Sequence, residues 1–150
     1  MVKKIIKTER SPRLEQVVFL DFETNDLIYE IDQTMPFILQ FLAIHGRSES
    51  FDRLVMPKDE NFTIASGATK VNGWTKESFL EELTPNPLSF PEVWREFLDW
   101  LKHIGFNLDK DIYLCAYNGY GFDFRVLVHE LRRFGIYQVH NFKLLDPWLD

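Results

Sequence analysis

The sequence predicts an α/β protein with a mixed sheet, and three observations carry that prediction. An apolar run near the start is followed by two more across a glycine turn, the pattern of strands joined in a hairpin. Two stretches in the second half repeat their apolar residues with helical period. Short apolar strands lie between and after those helices, and strands first, then alternating helix and strand, is the order of an α/β fold.

In chain order, residues 1–15 form a basic tail with Lys3, Lys4, Lys7, Arg10 and Arg13. A solvated segment is the simpler reading of those charges, and an arm touching phosphates is the alternative. Gln16 to Phe22 reads as a buried strand by its β-branched and aromatic content. "PFILQFLAIHG" and "SESFDRLVMP" follow as a hairpin turning near Gly46. From Pro57 to Lys76 the pattern breaks into a loop-rich connection with at most short helices.

In "SFPEVWREFLDWLKHIG", Ser89 and Glu92 have capping-box spacing and Pro91 lies in the first turn. Val93, Trp94, Phe97, Leu98, Leu101 and Ile104 make one apolar face, and Gly105 stops the helix. "DIYLCAY" is a short strand. "GFDFRVLVHELRRFG" is a second helix, with a stripe of Phe124, Leu127, Val128, Leu131 and Phe134 and Gly135 as its stop. A last strand, "VHNFKLL", leads into "DPWLD". No internal repeat, low-complexity stretch or second domain is visible.

With 150 residues, 45% of them hydrophobic and 27% charged, the chain can bury one core, which excludes disordered and collagen-like classes. Fourteen phenylalanines suit a bulky core first and stacking surfaces second. A net charge of -6 argues against a broad basic face that grips phosphates, but it is compatible with a cluster of acidic metal ligands. The single cysteine, Cys115, allows no internal disulfide and favours an intracellular compartment, cytoplasmic or nuclear. No apolar run approaches a membrane span, and the N-terminus has no signal-peptide core, so no membrane partner is expected.

The chemistry starts at "VVFLDFETNDL". On a strand the side-chain period is two, so Asp21 and Glu23 project from one face at the strand's C-terminal end, where ligand sites of α/β sheets form. With 23 acidic residues in the chain such a pair arises by chance about once, so its context matters more than its pattern. Neighbouring carboxylates at the end of an apolar strand repel unless a cation or a proton sits between them, and a hard divalent metal is the economical answer. "AYNGYGFDF" is the second constellation, with Gly119 and Gly121 allowing an unusual path and Asp123 opening a helix. Taken alone, Asp123 is a first-turn residue favoured by the helix dipole; beside the first pair it is a candidate third ligand. Asn118 reads either as a turn residue or as one whose side chain ties the loop and holds Asp123 toward the site, and it is taken with Thr24 and Leu27 as a substrate-binding candidate.

"FLDFETNDL" and "NGYGFDF" resemble the first and second motifs of the DEDD (DnaQ-like) 3'-to-5' exonucleases, whose fold is a ribonuclease H-like mixed sheet flanked by helices. "QFLAIHGR" and "YLCAYNGYGFDFRVLVHELRRFGI" resemble the three-prime repair exonuclease branch in particular, and "LVMPKDENFTIASGATKVNGWT" is similar to the segment after the third strand in the wider proofreading group. The resemblance runs from about Val17 to Asp146, within a domain of residues 16–150. It implies that Asp21, Glu23 and Asp123 hold two Mg2+ or Mn2+ ions, with Asp21 bridging both. It also implies that Thr24 and Leu27 line the pocket of the terminal nucleotide, and that the partner is a single-stranded 3' end of DNA or RNA. Asp26 stands where the family often has Gly, and Tyr117 where it usually has His.

The family's third motif, a His or Tyr base and a fourth Asp, has no counterpart among these residues. His129 lies on a helix without an Asp five positions on, and His140 precedes Asp146 by six; both read as structural or surface residues. Asp146 and Pro147 read as an N-cap and first helical position with only Trp148, Leu149 and Asp150 after them, so the domain is expected to be C-terminally incomplete. The missing part would lie in a longer protein, come from a homodimer partner or complementing chain, or have been lost. The readings are therefore a metal-dependent exonuclease, possessing its metal-binding half, or a catalytically dead pseudo-exonuclease acting as a scaffold for nucleic acid or protein. An unrelated α/β binding module with chance carboxylates is a third.

Overall fold

The computed structural model describes residues 12–137 and 140–147. The basic residues Lys3, Lys4, Lys7 and Arg10, and the expected turn of helix after Pro147, lie outside them. A single turn of 3-10 helix, Leu14–Gln16, leads into β1, Val17–Thr24. The expected hairpin is present as β2, Ile38–His45, and β3, Glu49–Leu54, with Gly46 in the left-handed conformation at φ +63°. Three helices follow: α1, Ser66–Asn72; α2, Lys76–Leu83; and α3, Phe90–His103. Then come β4, Ile112–Cys115; α4, Asp123–Arg133; and β5, Phe142–Leu145.

The five strands form one sheet in the order β3-β2-β1-β4-β5, with β1–β2 and β2–β3 antiparallel and β1–β4 and β4–β5 parallel. It is the mixed sheet that the residue pattern predicts. β1 lies at its centre, paired with β2 on one edge and β4 on the other. Its even residues Val18, Leu20 and Phe22 join one core cluster with Phe41 and Phe51 of the hairpin, Val93, Trp94, Phe97 and Leu101 of α3, and Phe124, Leu127 and Leu131 of α4. Phe41 is the hub, its ring 4.8 Å from Phe22 and 4.9 Å from Phe97. Each such fully buried ring contributes roughly 1.5–3 kcal/mol, so the phenylalanine-rich composition is spent mainly on the core.

The odd residues of β1 face the other way. Phe19 and its cross-strand partner Ile44 are each 42% exposed, and Asp21 and Glu23 continue the same row toward the strand's end. Two helices were less legible in the sequence than α3 and α4. α1 has only seven residues and no buried side chain, which is why its apolar period is weak. α2 is capped by reciprocal bonds between Thr75 and Ser78, and its Phe79 and Leu83 close a second small cluster with Leu39 and Phe62. Val128, expected in the buried stripe of α4, is 40% exposed; Val126 and Glu130 are buried instead. Among the described residues no helix is long and apolar enough to cross a membrane.

Candidate active site

β1 ends irregularly. The pairing with β2 shifts register between Glu23 and Thr24, and the chain then turns through Asn25. Asn25 is nearly buried, and its side chain donates to the Thr63 carbonyl (2.9 Å) and accepts the Phe37 N–H (2.7 Å). Its carbonyl accepts the Ala65 N–H (2.9 Å). One asparagine therefore fixes the segment before α1 against the end of β1 and the start of β2, and so sets the width of the space between them.

That space is a cleft of about 630 Å3. Asp21, Glu23 and Asp123 line it together with Thr24 and Leu27, so five of the six residues singled out in the sequence meet there. Asn118 does not line it. Its wall also includes Asp26 and Tyr29, the start of α1 together with Val71 and Asn72 of that helix, and Phe122 beside Asp123. The rim is apolar and open, with Leu27 71%, Tyr29 51% and Val71 82% exposed. Asp26 shapes this rim, its carboxylate accepting the Leu27 N–H (2.8 Å) and the Tyr29 hydroxyl (3.0 Å). Thr24 donates its hydroxyl to the Asp26 carbonyl (2.8 Å).

Asp123 reaches the cleft from α4. It occupies the first turn, as expected, but its side chain is buried and its Oδ2 accepts the backbone N–H of Phe22 at 3.2 Å. Phe22 lies between Asp21 and Glu23, so the third carboxylate is delivered to the stretch of strand that bears the other two. Burial, opposed by the Phe22 bond and reinforced by Asp21 and Glu23, pushes the Asp123 carboxyl up to about 6. Glu23 is raised as well, by burial first and by Asp21 second. Four acids, Asp26 at the rim included, with no Lys, Arg or His among the lining residues make a site that favours a proton or a cation.

The loop that delivers Asp123 is held from behind. Asp146 is fully buried, and its carboxylate accepts the N–H groups of Asn118 (3.0 Å) and Tyr120 (3.2 Å). Asn118 adopts the left-handed conformation, φ +54°, and its carbonyl accepts the N–H groups of Gly121 and Phe122. Gly119 and Gly121 are needed for close approach, because a Cβ at the first would collide with the Phe124 ring and at the second with the Asn118 side chain. Asn118 is thus a loop residue behind the cleft, and Asp146 ties that loop.

The donor set, three hard carboxylate oxygens at a strand end, fits a divalent cation such as Mg2+ or Mn2+ in its chemistry. As placed, no group of three or more His, Cys, Asp or Glu among the described residues closes tightly enough to hold one. Neither His129 nor His140 lines the cleft: His129 borders a separate recess, and the His140 ring packs edge-on to Phe142. The sequence reading did not find Asn25, Tyr29, Val71 or Phe122. An asparagine directly after the first strand was the one available signal; Val71 sits on a helix too short to show a period.

No protein-family model matches the sequence, and no curated protein matches it. Solved structures do. The nuclease domain of 3'hExo, a DEDDh family member, bound to rAMP, superposes with a TM-score of 0.60 at 16% identity, covering 81% of this chain and 60% of that one. E. coli Exonuclease I in complex with a dA16 oligonucleotide gives 0.58 at 18% identity, covering 87% of this chain and 27% of that one. A zinc-bound form of the E. coli ExoI-ssDNA complex gives 0.57 at 18% identity over the same shares. The chain thus spans 60% of the length of the first and about a quarter of the others. With the strand order and pairing directions already described, these likenesses establish that the chain has the ribonuclease H-like fold of the DEDDh 3'-exonucleases.

Proposed function

We propose that this chain is a metal-dependent 3'-to-5' exonuclease domain that hydrolyses the terminal phosphodiester of a single-stranded DNA or RNA end inside the cell. The observation that carries the reading is the delivery of Asp123 to Phe22, between Asp21 and Glu23, in a cleft whose rim is apolar. Asp21, Glu23 and Asp123 would hold the divalent ions. When bound, such ions supply Lewis acidity to the phosphodiester and lower the pKa of an attacking water. Leu27, Tyr29 and Val71 offer the terminal base an apolar seat while its phosphate faces the acidic floor, which tolerates a phosphate only with cations between them. Asp26 and Thr24 fix the rim so that the base is held at one place relative to the carboxylates.

None of the histidines in the described residues lines the cleft, so no histidine base stands beside its carboxylates. Loss of a general base commonly costs about 10²- to 10⁴-fold. That no group of three or more His, Cys, Asp or Glu among the described residues gathers as a metal site favours a second reading: a pseudo-exonuclease that keeps the cleft as a binding scaffold.

Release of mononucleotides from a 3'-labelled oligonucleotide, measured with Mg2+, with Mn2+ and with EDTA, decides between them. The proposal expects slow, metal-dependent trimming that Asp21→Asn abolishes while the fold is retained. Nucleotide binding without any metal-dependent trimming supports the scaffold. Trimming that persists in Asp21→Asn or in EDTA overturns the assigned roles.

A further inference from the structure

A second recess, of about 460 Å3 and lined by none of the residues of the acidic cleft, opens against α4. Arg125, His129 and Arg132 of α4 line it together with Gln33, Met35 and Tyr120. The three basic residues are spaced i, i+4 and i+7, so they stack on one face of the helix. Seven residues of helix place the outer two about 10 Å apart along the axis, longer than one phosphate group and suited to consecutive ones. No Asp or Glu is among the lining residues; among the described residues Glu30 alone pairs with a member of the row, Arg125, at 2.6 Å.

This concentration of positive charge stands out in a chain of net charge -6. Burial first, and the nearby Arg133 and Arg132 after it, hold His129 below its usual range, so the charge of the row comes from Arg125 and Arg132 while His129 adds a ring N–H donor. The helix dipole accounts for basic residues in the last turn of α4 but not for Arg125, which stands in the first turn where the dipole opposes a cation. A recess that carries two guanidiniums and no acid among its lining residues is suited to an anion from outside the protein.

The recess also adjoins the cleft. α4 begins with Asp123 in the cleft and carries Arg125, His129 and Arg132 away from it. The segment from Asp26 to Met35 walls both cavities, with Asp26, Leu27 and Tyr29 in the cleft and Gln33 and Met35 in the recess. We infer that the recess binds backbone phosphates of the nucleic-acid strand upstream of its 3' terminus, with Arg132, His129 and Arg125 as the contacts. This rests on the proposed nuclease reading, and it adds a track for the strand that the acidic cleft cannot provide. Because the contacts go to phosphates, they position the strand without reading its sequence.

The test compares two probes in Mg2+: dTMP, which fills the cleft alone, and a 5'-fluorescein dT12 with phosphorothioate linkages that resist cleavage. Arg132→Glu is expected to weaken dT12 binding by roughly tenfold and to lower the slope of log Kd against log salt by about 1, with dTMP binding unchanged. Arg132 is exposed, and Arg132→Gln, with a smaller expected loss, guards against an effect of charge reversal on folding. Equal dT12 affinity in the wild type and Arg132→Glu overturns the inference. So does a wild type that binds dT12 no more tightly than dTMP, although the nuclease reading then stands. Binding of neither probe overturns both.

Discussion

The Phe22 N–H donates to Asp123 Oδ2 at 3.2 Å, a bond between residues 101 positions apart in the chain. It anchors the start of α4 to the end of β1 and leaves a buried carboxyl beside two others. Stability and chemistry are in conflict at this point, since the group that holds the two elements together is also the one that burial and its neighbours discourage from ionising.

The first prediction follows from that conflict. An acid whose carboxyl is raised in the folded protein binds more protons folded than unfolded, so it favours folding at low pH and disfavours it as pH rises to the folded value, here about 6. Asp123→Asn keeps an acceptor for the Phe22 N–H and removes the charge. In EDTA, its melting temperature is expected to exceed that of the wild type at pH 7.5, with the advantage disappearing by about pH 4, near the ordinary carboxylate range. Thermal melts across that pH range check it; an advantage that grows as pH falls would contradict the assignment. Mg2+ is expected to raise the wild-type melting temperature and not that of Asp123→Asn, in line with binding to the folded state.

Asp146 carries the second prediction. Its buried carboxylate satisfies the N–H groups of Asn118 and Tyr120, and bonds to a charged group contribute about 1.5–3 kcal/mol each. Asp146→Ala is expected to cost about 2–5 kcal/mol in urea denaturation and, by releasing the 118–122 loop, to weaken Mg2+ and dTMP binding together. Asp146→Asn keeps one acceptor and is expected to lose less of both. Unchanged stability in Asp146→Ala would show that the loop is held by other contacts.

The third prediction concerns the buried pair on the other face of α4. Glu130 is 1% exposed, pairs with Arg133 and accepts the Ile38 N–H at 3.2 Å, while the Arg133 guanidinium lies over the Phe37 ring at 4.1 Å. Burial raises the Glu130 carboxyl, opposed by Arg133. Glu130→Ala strands a cation and a backbone N–H and is expected to destabilise by about 3–5 kcal/mol. Adding Arg133→Met to Glu130→Ala should recover part of that loss, because the unpaired cation is gone. A double variant less stable than the single one would mean that Arg133 contributes mainly through Phe37 and the Met35 carbonyl.

Much of this was legible in the residues, for identifiable reasons. α3 announced itself through Pro91 and the capping box, and the Glu92 carboxylate does accept the Ser89 N–H at 3.0 Å. The hairpin was marked by Gly46, which the left-handed turn requires. Asp21 and Glu23 were conspicuous because carboxylates at the end of a buried strand have no packing rationale. α1 and α2 were not read individually, because short helices that bury one or two residues leave no period to detect. Val128 was assigned to the buried stripe by spacing alone, and Glu130 was not, although in the folded chain Arg133 and the Ile38 N–H make Glu130 the better buried residue.

By itself, then, the sequence determined the mixed α/β class, the order of the main elements and the carboxylates that candidate chemistry would use, because these depend on local period, capping and residue type. Tertiary structure alone decided that Asp123 docks on the Phe22 N–H, that Asp146 and Asn25 brace the two sides of the cleft, and that the basic row of α4 faces a recess rather than bulk solvent. Those outcomes depend on which distant backbone groups need a partner once the sheet has formed, and no local pattern encodes that.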